Sequence, residues 1–341
     1  MRILMVDNMQ IRRYGNLQMG PGRKLVCAAV RSNHRLAEFS DRDIARFLSP
    51  CGIRAVGGYL ANIKLIQTAK NFKPDALFIG HCDYICNWAL NSIRKMLPAI
   101  RMAHFNVDPL WMDWHVRQIQ ERVHSTDAIF VTTGGSTLKK FCTGKNTVAY
   151  MPNPSDGSME RADNSLKVDF SRDLVFCGKE LPHDDRTELL RSLVDKLNGK
   201  LRFDIFGMFG HPAQWGANYE TMLSNSKMAL NINRKEGWPL ASSDRIAHLM
   251  GNGLLTFLSD KGQMEKFFSD KDVVFFKDAG DLAEKILYFH AHDEKRRAVA
   301  ASGRARYHTL FDSSRVLKFM LETLFHEPYS EVYEWADEVY R

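Results

Sequence analysis

Residues 242–257 read SSDRIAHLMGNGLLTF: a polar opening, a short apolar-periodic run, a Gly-Asn-Gly stop and then an apolar stretch. The pattern predicts a helix that starts at Ser242 to Asp244, is stopped by glycine and delivers the chain into a buried strand. Ser242, Ser243 and Asp244 are residue types that cap helices. A helix start also offers unpaired N–H groups and the positive end of the helix dipole, to which Arg245 adds a formal charge.

Working outward, the same strand-and-helix alternation recurs. Towards the C-terminus follow strands at 254–258 and 273–276 and helices at Gly280–Ala291 and Asp293–Tyr307. Upstream lie DLVFCG (173–178), a helix from Asp185 to Leu197, RFDIFG (202–207), a helix at Tyr219–Ser226 and MALNIN (228–233). In the first half, strands are expected at Arg2–Val6, Arg35–Phe39, Ala76–Ile79, Arg101–Phe105, Ala128–Val131 and Val148–Met151. Helices separate them at Arg23–Val30, Gly58–Asn71, Cys86–Leu97, Trp111–His124 and Ser136–Cys142. MPNPSDG (151–157) concentrates turn residues, so the hinge falls there, with domains at 1–152 and 153–311. Helices from Asp312 onward are expected to pack back on the first domain. This is the α/β signature of two Rossmann-like domains, with ligands at the strand carboxyl ends facing a cleft.

Composition fits two cores: 341 residues suit two domains of roughly 150 each. The apolar fraction of 45% and charged fraction of 26% are ordinary, and no run approaches the roughly 18 apolar residues of a membrane span. The opening MRILMVDN reads as a strand and not an export signal, so a cytoplasmic location is expected. The six cysteines, Cys82 and Cys86 included, read as reduced core thiols. A net charge of +7 suits nucleic acid, an anionic membrane surface or a phosphorylated substrate, and charge alone does not choose.

Chemistry is sought at strand carboxyl ends. The loop DNMQIRRYGNLQMGPGRK (7–24) is basic and glycine-rich, either an anion holder or a solvated loop; it lacks GxGxxG and the P-loop pattern. GHCDY puts His81 and Asp83 just past a strand, where either suits a general base and Asp83 equally suits a helix cap. Asp108, followed by Trp111 and Trp114, suits a sugar-binding lip or a turn. FSDRDIAR (39–46) reads as capping plus salt bridges. In the second domain Gly178 permits close backbone approach and Lys179 meets a phosphate, while Arg234 and Lys235 with Glu236 suit a diphosphate and a sugar hydroxyl. With the helix start and Arg245, these cations neutralise a nucleotide diphosphate without a metal.

Over 228–257 the pattern resembles the C-terminal domain of GT-B glycosyltransferases, the broad "glycosyl transferases group 1" set with CgeB-like members. Those domains carry a Pro-Ser-Lys/Arg-x-x-Glu-x-x-x-x-Gly-like helix. Gly253 matches the glycine, Arg245 the cation, and Ser243 or Ser242 the polar start. His248 stands where the family has a ribose-holding Glu, so the ribose contact passes to His248 or to a site around Asp244. A second register sets Glu236 and Asp244 eight apart, imitating Glu-x7-Glu, but the glycine anchor puts Leu240 at the first position, and stereochemistry stays open.

The resemblance implies a GT-B fold and hexosyltransfer in bacterial surface-polysaccharide assembly, with neither metal nor cofactor. The second domain then binds a nucleotide-sugar donor and the first a glycan or lipid-linked acceptor, with peripheral contact at an anionic membrane face and no nucleic-acid partner. The alternatives are a sugar-nucleotide epimerase of the same fold and a non-catalytic nucleotide-sugar or nucleic-acid binder.

Overall fold

A computed structural model describes residues 1–9, 11, 19–49, 52–181 and 184–341; the side chains of Arg54 and Ala55 are not described. Residues 10 and 12–18 of the loop read above as an anion holder or a solvated loop lie outside the described residues, and so does Cys51. The chain divides into one unit of Met1–Pro154 with Ser313–Arg341 and a second of Ser155–Asp312.

The first unit runs β1 (Arg2–Asp7), α1 (Pro21–Arg31), β2 (Arg35–Ser40), α2 (Asp41–Leu48), α3 (Arg54–Phe72), β3 (Ala76–Ile79), α4 (Asn87–Met96), β4 (Arg101–Asn106), α5 (Asp113–Arg122), β5 (Ala128–Val131) and β6 (Thr147–Tyr150). The second holds β7 (Arg172–Cys177), α6 (Arg186–Leu197), β8 (Phe203–Phe206), α7 (Ala217–Ser224), β9 (Ser226–Asn231), α8 (Arg245–Gly251), β10 (Leu255–Ser259), β11 (Val274–Phe276), α9 (Ala279–Ala291) and α10 (Asp293–Phe311). The chain then re-enters the first unit as α11 (Ser313–Phe325) and ends in β12 (Val339–Tyr340).

The centre of the first sheet holds short, fully apolar runs, ALFI of β3 and AIFV of β5, buried on both faces as parallel strands require. The first sheet has the order β12-β6-β5-β4-β3-β1-β2 and is parallel except for β12, which pairs antiparallel to β6. The second has the order β11-β10-β9-β7-β8 and is parallel throughout. In each, the first strand has one sequence neighbour on either side. The order therefore reverses between β1 and β3 in the first sheet and between β7 and β9 in the second, the kind of point where open α/β sheets take their ligands.

Several expectations change. FSDRDIAR does more than cap: it forms α2, because Ala45 tucks against Gly57 of α3 so closely that a Cβ on Gly57 would stand 1.6 Å from the Ala45 carbonyl oxygen. Ser136–Phe141 is a 3₁₀ turn and not an α-helix, while α7 and β9 each start two residues earlier than the apolar run suggested. After α11 the tail holds no α-helix, only a 3₁₀ turn at Ala336–Glu338. It buries Trp335 against Phe319 of α11 at 5.4 Å between ring centroids and supplies β12. Cys86 is exposed and not a core thiol.

The close crossing of α2 and α3 gives a test. Gly57→Ala gains helix propensity but forces the helices apart, so it should destabilise by about 1–3 kcal/mol in denaturant unfolding. Gly157→Ala meets nothing within 4 Å and should shift stability by less than about 0.5 kcal/mol. Equal behaviour of the two variants would contradict the crossing.

Candidate functional site

At the reversal of the first sheet, Asp7 ends β1 and Gly80 with His81 follow β3. The Asp7 carboxylate accepts the N–H of Asn8 at 2.7 Å and that of His81 at 2.9 Å. Burial pushes its pKa up to about 6 against the pull of those two N–H groups. Gly80 is required here, since a Cβ would stand 2.4 Å from the Phe105 ring and 2.7 Å from the Asp7 carboxyl.

His81 Nδ1 donates to Asp108 Oδ2 at 2.8 Å, and that hydrogen bond holds the imidazole pKa above its ordinary value despite partial burial. His115 Nδ1 lies 3.5 Å from the same oxygen, and Asp108 itself is oriented by its N–H bonding Asn106 Oδ1. Asp83 is not a helix cap. It pairs with Arg42 at 2.5 Å and stands 3.6 Å from His81 Nε2, while its N–H goes to the buried Asp41. Trp114, half exposed, sets its ring at an angle to His81, with 6.4 Å between centroids. The structure thus brings His81, Asp83 and Asp108 together.

These residues line a cavity of 270 Å³, whose far wall carries His104, Asn87, Gln118 and Arg122. His104 gives Nδ1–H to the Ile79 carbonyl, and burial pushes its pKa down to about 3, so it is neutral. The buried Arg122 donates to Asn87 Oδ1 and to the Ile85 carbonyl. Sequence reasoning passed over Asp7, His104 and Arg122. Asp7 carried a signal, its place as the last residue of the first strand.

At the reversal of the second sheet, Arg245 is not turned out to solvent. Its guanidinium donates to the Cys177 carbonyl at 3.0 Å and the Ile232 carbonyl at 2.7 Å, joining the ends of β7 and β9. It lies over the Phe176 ring at 4.9 Å, with Arg186 over the same ring at 5.5 Å. Burial, then the like charges of Arg186 and Arg234, push the Arg245 pKa down to about 10. Arg245 Nε is buried without a hydrogen-bond partner. Arg186, absent from the sequence reading, is itself buried and paired with Asp184. Gly178 leaves room for Arg186, 3.0 Å from where a Cβ would lie. The Lys179 carbonyl accepts from Arg186 at 3.0 Å and from Arg234 at 3.5 Å. The Lys179 and Lys235 side chains are exposed.

The start of α8 differs from expectation. Asp244 occupies the cap position with helical backbone angles and makes no capping bond with its side chain. Ile246 and Ala247 give their N–H groups to the Ser243 and Asp244 carbonyls, and the helix has only seven residues. His248 is buried and bridges two carboxylates, with Nδ1 to Glu160 at 2.8 Å and Nε2 to Asp244 at 3.0 Å. Both ring nitrogens are engaged within the unit, so His248 holds Asp244 against Glu160. Glu236 is tied by the Ser259 hydroxyl to the end of β10. Among the described residues no group of three or more His, Cys, Asp or Glu is arranged to hold a metal.

Residues 186–322 match the family model described as "Glycosyl transferase-like". No curated protein sequence matches the chain significantly. Among solved structures, Anabaena HepE in complex with UDP-glucose superposes with a TM-score of 0.63 at 13% identity, covering 96% of this chain and 100% of that one. A sucrose-phosphate synthase of Thermosynechococcus elongatus gives 0.59 at 12% identity, covering 96% and 98%. An Escherichia coli trehalose-6-phosphate protein bound with UDP-2-fluoro glucose gives 0.59 at 11% identity, covering 95% and 99%. The chain has the GT-B glycosyltransferase fold, and the segment from the start of α6 into α11 carries the glycosyl transferase-like family pattern.

Proposed function

We propose that this chain is a glycosyltransferase that moves a hexosyl group from a nucleotide-sugar donor to a glycan or lipid-linked acceptor, as in surface-polysaccharide assembly. The observation that carries the reading is the cation cluster at the reversal between β7 and β9. Arg186, Arg234 and Arg245 are close enough for two of them to depress the third's pKa, and a donor diphosphate relieves that repulsion. Neighbours of the same fold are solved with UDP-glucose and UDP-2-fluoro glucose, which supports a nucleotide sugar as the ligand. Fixed guanidiniums, joined by Lys179 and Lys235, supply the charge stabilisation that other transferases take from a metal, and the reading is of a metal-independent enzyme.

On this reading the acceptor hydroxyl oxygen forms a bond to the anomeric carbon as the bond to the diphosphate breaks. The diphosphate leaves with the electron pair, and the cations of the second unit meet its charge. Within the first unit His81 is the group suited to take the hydroxyl proton, on Nε2, because Asp108 fixes the Nδ1–H tautomer. Asp108 and Asp83 are positioning residues for that imidazole, and Asp244, oriented by His248, supplies a carboxylate for donor hydroxyls.

A thermal-shift screen against nucleotides and nucleotide sugars identifies the donor, since a ligand at about 100 Kd adds roughly 2.7 kcal/mol to the native state. Arg234→Ala and Arg245→Lys, each checked for an intact unfolding transition, should weaken nucleoside diphosphate binding about tenfold or more, the worth of a lost charge-assisted hydrogen bond. Unchanged affinity in both would remove the diphosphate from this edge. Donor binding without transfer would favour a non-catalytic binder, and epimer formation without acceptor an epimerase.

The base assignment predicts a pH profile. The Asp108 hydrogen bond raises the His81 pKa, so the imidazole stays protonated, and unable to accept a proton, to a higher pH than an unperturbed histidine of about 6.5. The rate with saturating donor should therefore rise with pH through that pKa. Asp108→Asn should move the rising limb to lower pH while lowering its plateau, and an unmoved limb would detach His81 from the chemistry.

A further inference from the structure

The sequences of α3 (RAVGGYLANIKLIQTAKNF) and α4 (NWALNSIRKM) contain five Lys or Arg residues and not one Asp or Glu. A solvated surface ordinarily mixes the two signs. On α3 the described exposed positions Val56, Tyr59, Leu60, Lys64, Gln67, Lys70 and Asn71 fall on one side at 3.6-residue spacing. That side is apolar and aromatic in its first half and basic in its second. Tyr59 is 65% exposed, and its ring lies 5.7 Å from that of Trp88 on α4, itself 41% exposed. Lys95, exposed and two helical turns beyond Trp88, shares the Trp88 side of α4, whereas Arg94 is paired with Asp127. Phe47 at the end of α2 is 87% exposed, and Ile53 just before α3 is 54% exposed. The acidic residues of α2 are engaged elsewhere: Asp41 is buried under Asp83 and Tyr84, and Asp43 accepts from Ser40 and Ile11.

We propose that this outward side of α3 and α4 is a docking surface for an anionic lipid bilayer. Exposed Val, Leu, Tyr and Trp beside Lys is the composition that rests at the headgroup level, with rings and aliphatic side chains in the interface and ammonium groups on anionic headgroups. Charge complementarity selects this occupant over a second copy of the chain, because two acid-free basic surfaces face to face repel. The surface also lies beside the cavity of the first unit: Asn87 lines that cavity and Trp88 is the next residue. The proposal extends the glycosyltransferase reading by giving the acceptor a lipid-borne source. It is tested without donor or acceptor, so the two readings fail separately.

The test is flotation of the whole chain with vesicles of phosphatidylcholine alone and of phosphatidylcholine mixed with phosphatidylglycerol. Binding is expected to the mixed vesicles only, to weaken as salt is added, and to fall about tenfold or more in the Lys64→Glu, Lys70→Glu, Lys95→Glu triple variant. Tyr59→Ser with Trp88→Ser should weaken it as well. The triple variant should keep wild-type nucleoside diphosphate affinity in vesicle-free solution, which shows that it is folded. Absence of binding to the mixed vesicles, or undiminished binding in both variants, would overturn the proposal. So would self-association, or binding to an acidic protein in place of the vesicles, that the same substitutions abolish.

Discussion

The Arg245 guanidinium, held by the carbonyls of Cys177 and Ile232, is the contact on which the second unit's site depends. Parallel strands leave carbonyls unpaired at their carboxyl ends, and the gap is widest where strand order reverses. A planar, permanently charged group with several donors satisfies both strand ends at once, and the face of Phe176 supports it. Because the charge is half-enclosed and has two other arginines near it, the arrangement is both a staple for β7 and β9 and a standing attraction for an anion. The same residue therefore fastens the fold and, on the proposed reading, meets the donor.

The first unit solves the equivalent problem with a carboxylate. Asp7 at the end of β1 gathers the N–H groups of Asn8 and His81 across the reversal to β3, and its burial is tolerable because those donors face it. The His81 backbone is fixed by Asp7 and its ring by Asp108, so an imidazole with a defined tautomer is carried by strand ends. The neighbouring His104 is held neutral by deeper burial and by the positive charge of Arg122, and it contributes shape and polarity without taking a proton at neutral pH. Two histidines at neighbouring strands are thus given opposite tendencies by their surroundings.

The alternation of strands and helices was legible because parallel strands buried on both faces are short unbroken apolar runs, and ALFI and AIFV announce themselves. The strand-end rule then drew attention to His81, Asp83 and Asp108, which the fold brings together, and to Lys179, Arg234 and Arg245. Helix α2 was not legible, because eight charged-interleaved residues form a helix only through the close crossing with Gly57. β12 was not legible, since two residues become a strand only when β6 is already there to pair with. The direction of Arg245 and the engagement of His248 depend on partners far away in sequence: Cys177 is 68 residues before Arg245, and Glu160 is 88 before His248. Residue type and spacing carry no record of such contacts. The polar opening of SSDRIAHLMGNGLLTF reads in sequence as a capped helix start, whereas in the fold Arg245 staples two strand ends and His248 bridges Asp244 to Glu160.

On the proposed reading the reversal between β7 and β9 receives the diphosphate of a nucleotide sugar. A crystal structure of the chain grown with a nucleoside diphosphate tests it most directly. Phosphate oxygens are expected within hydrogen-bonding distance of Arg234 and of the Arg245 guanidinium edge, at the end of β7. A diphosphate seated instead in the His81 and Arg122 cavity of the first unit, with the second unit's strand ends empty, would contradict it.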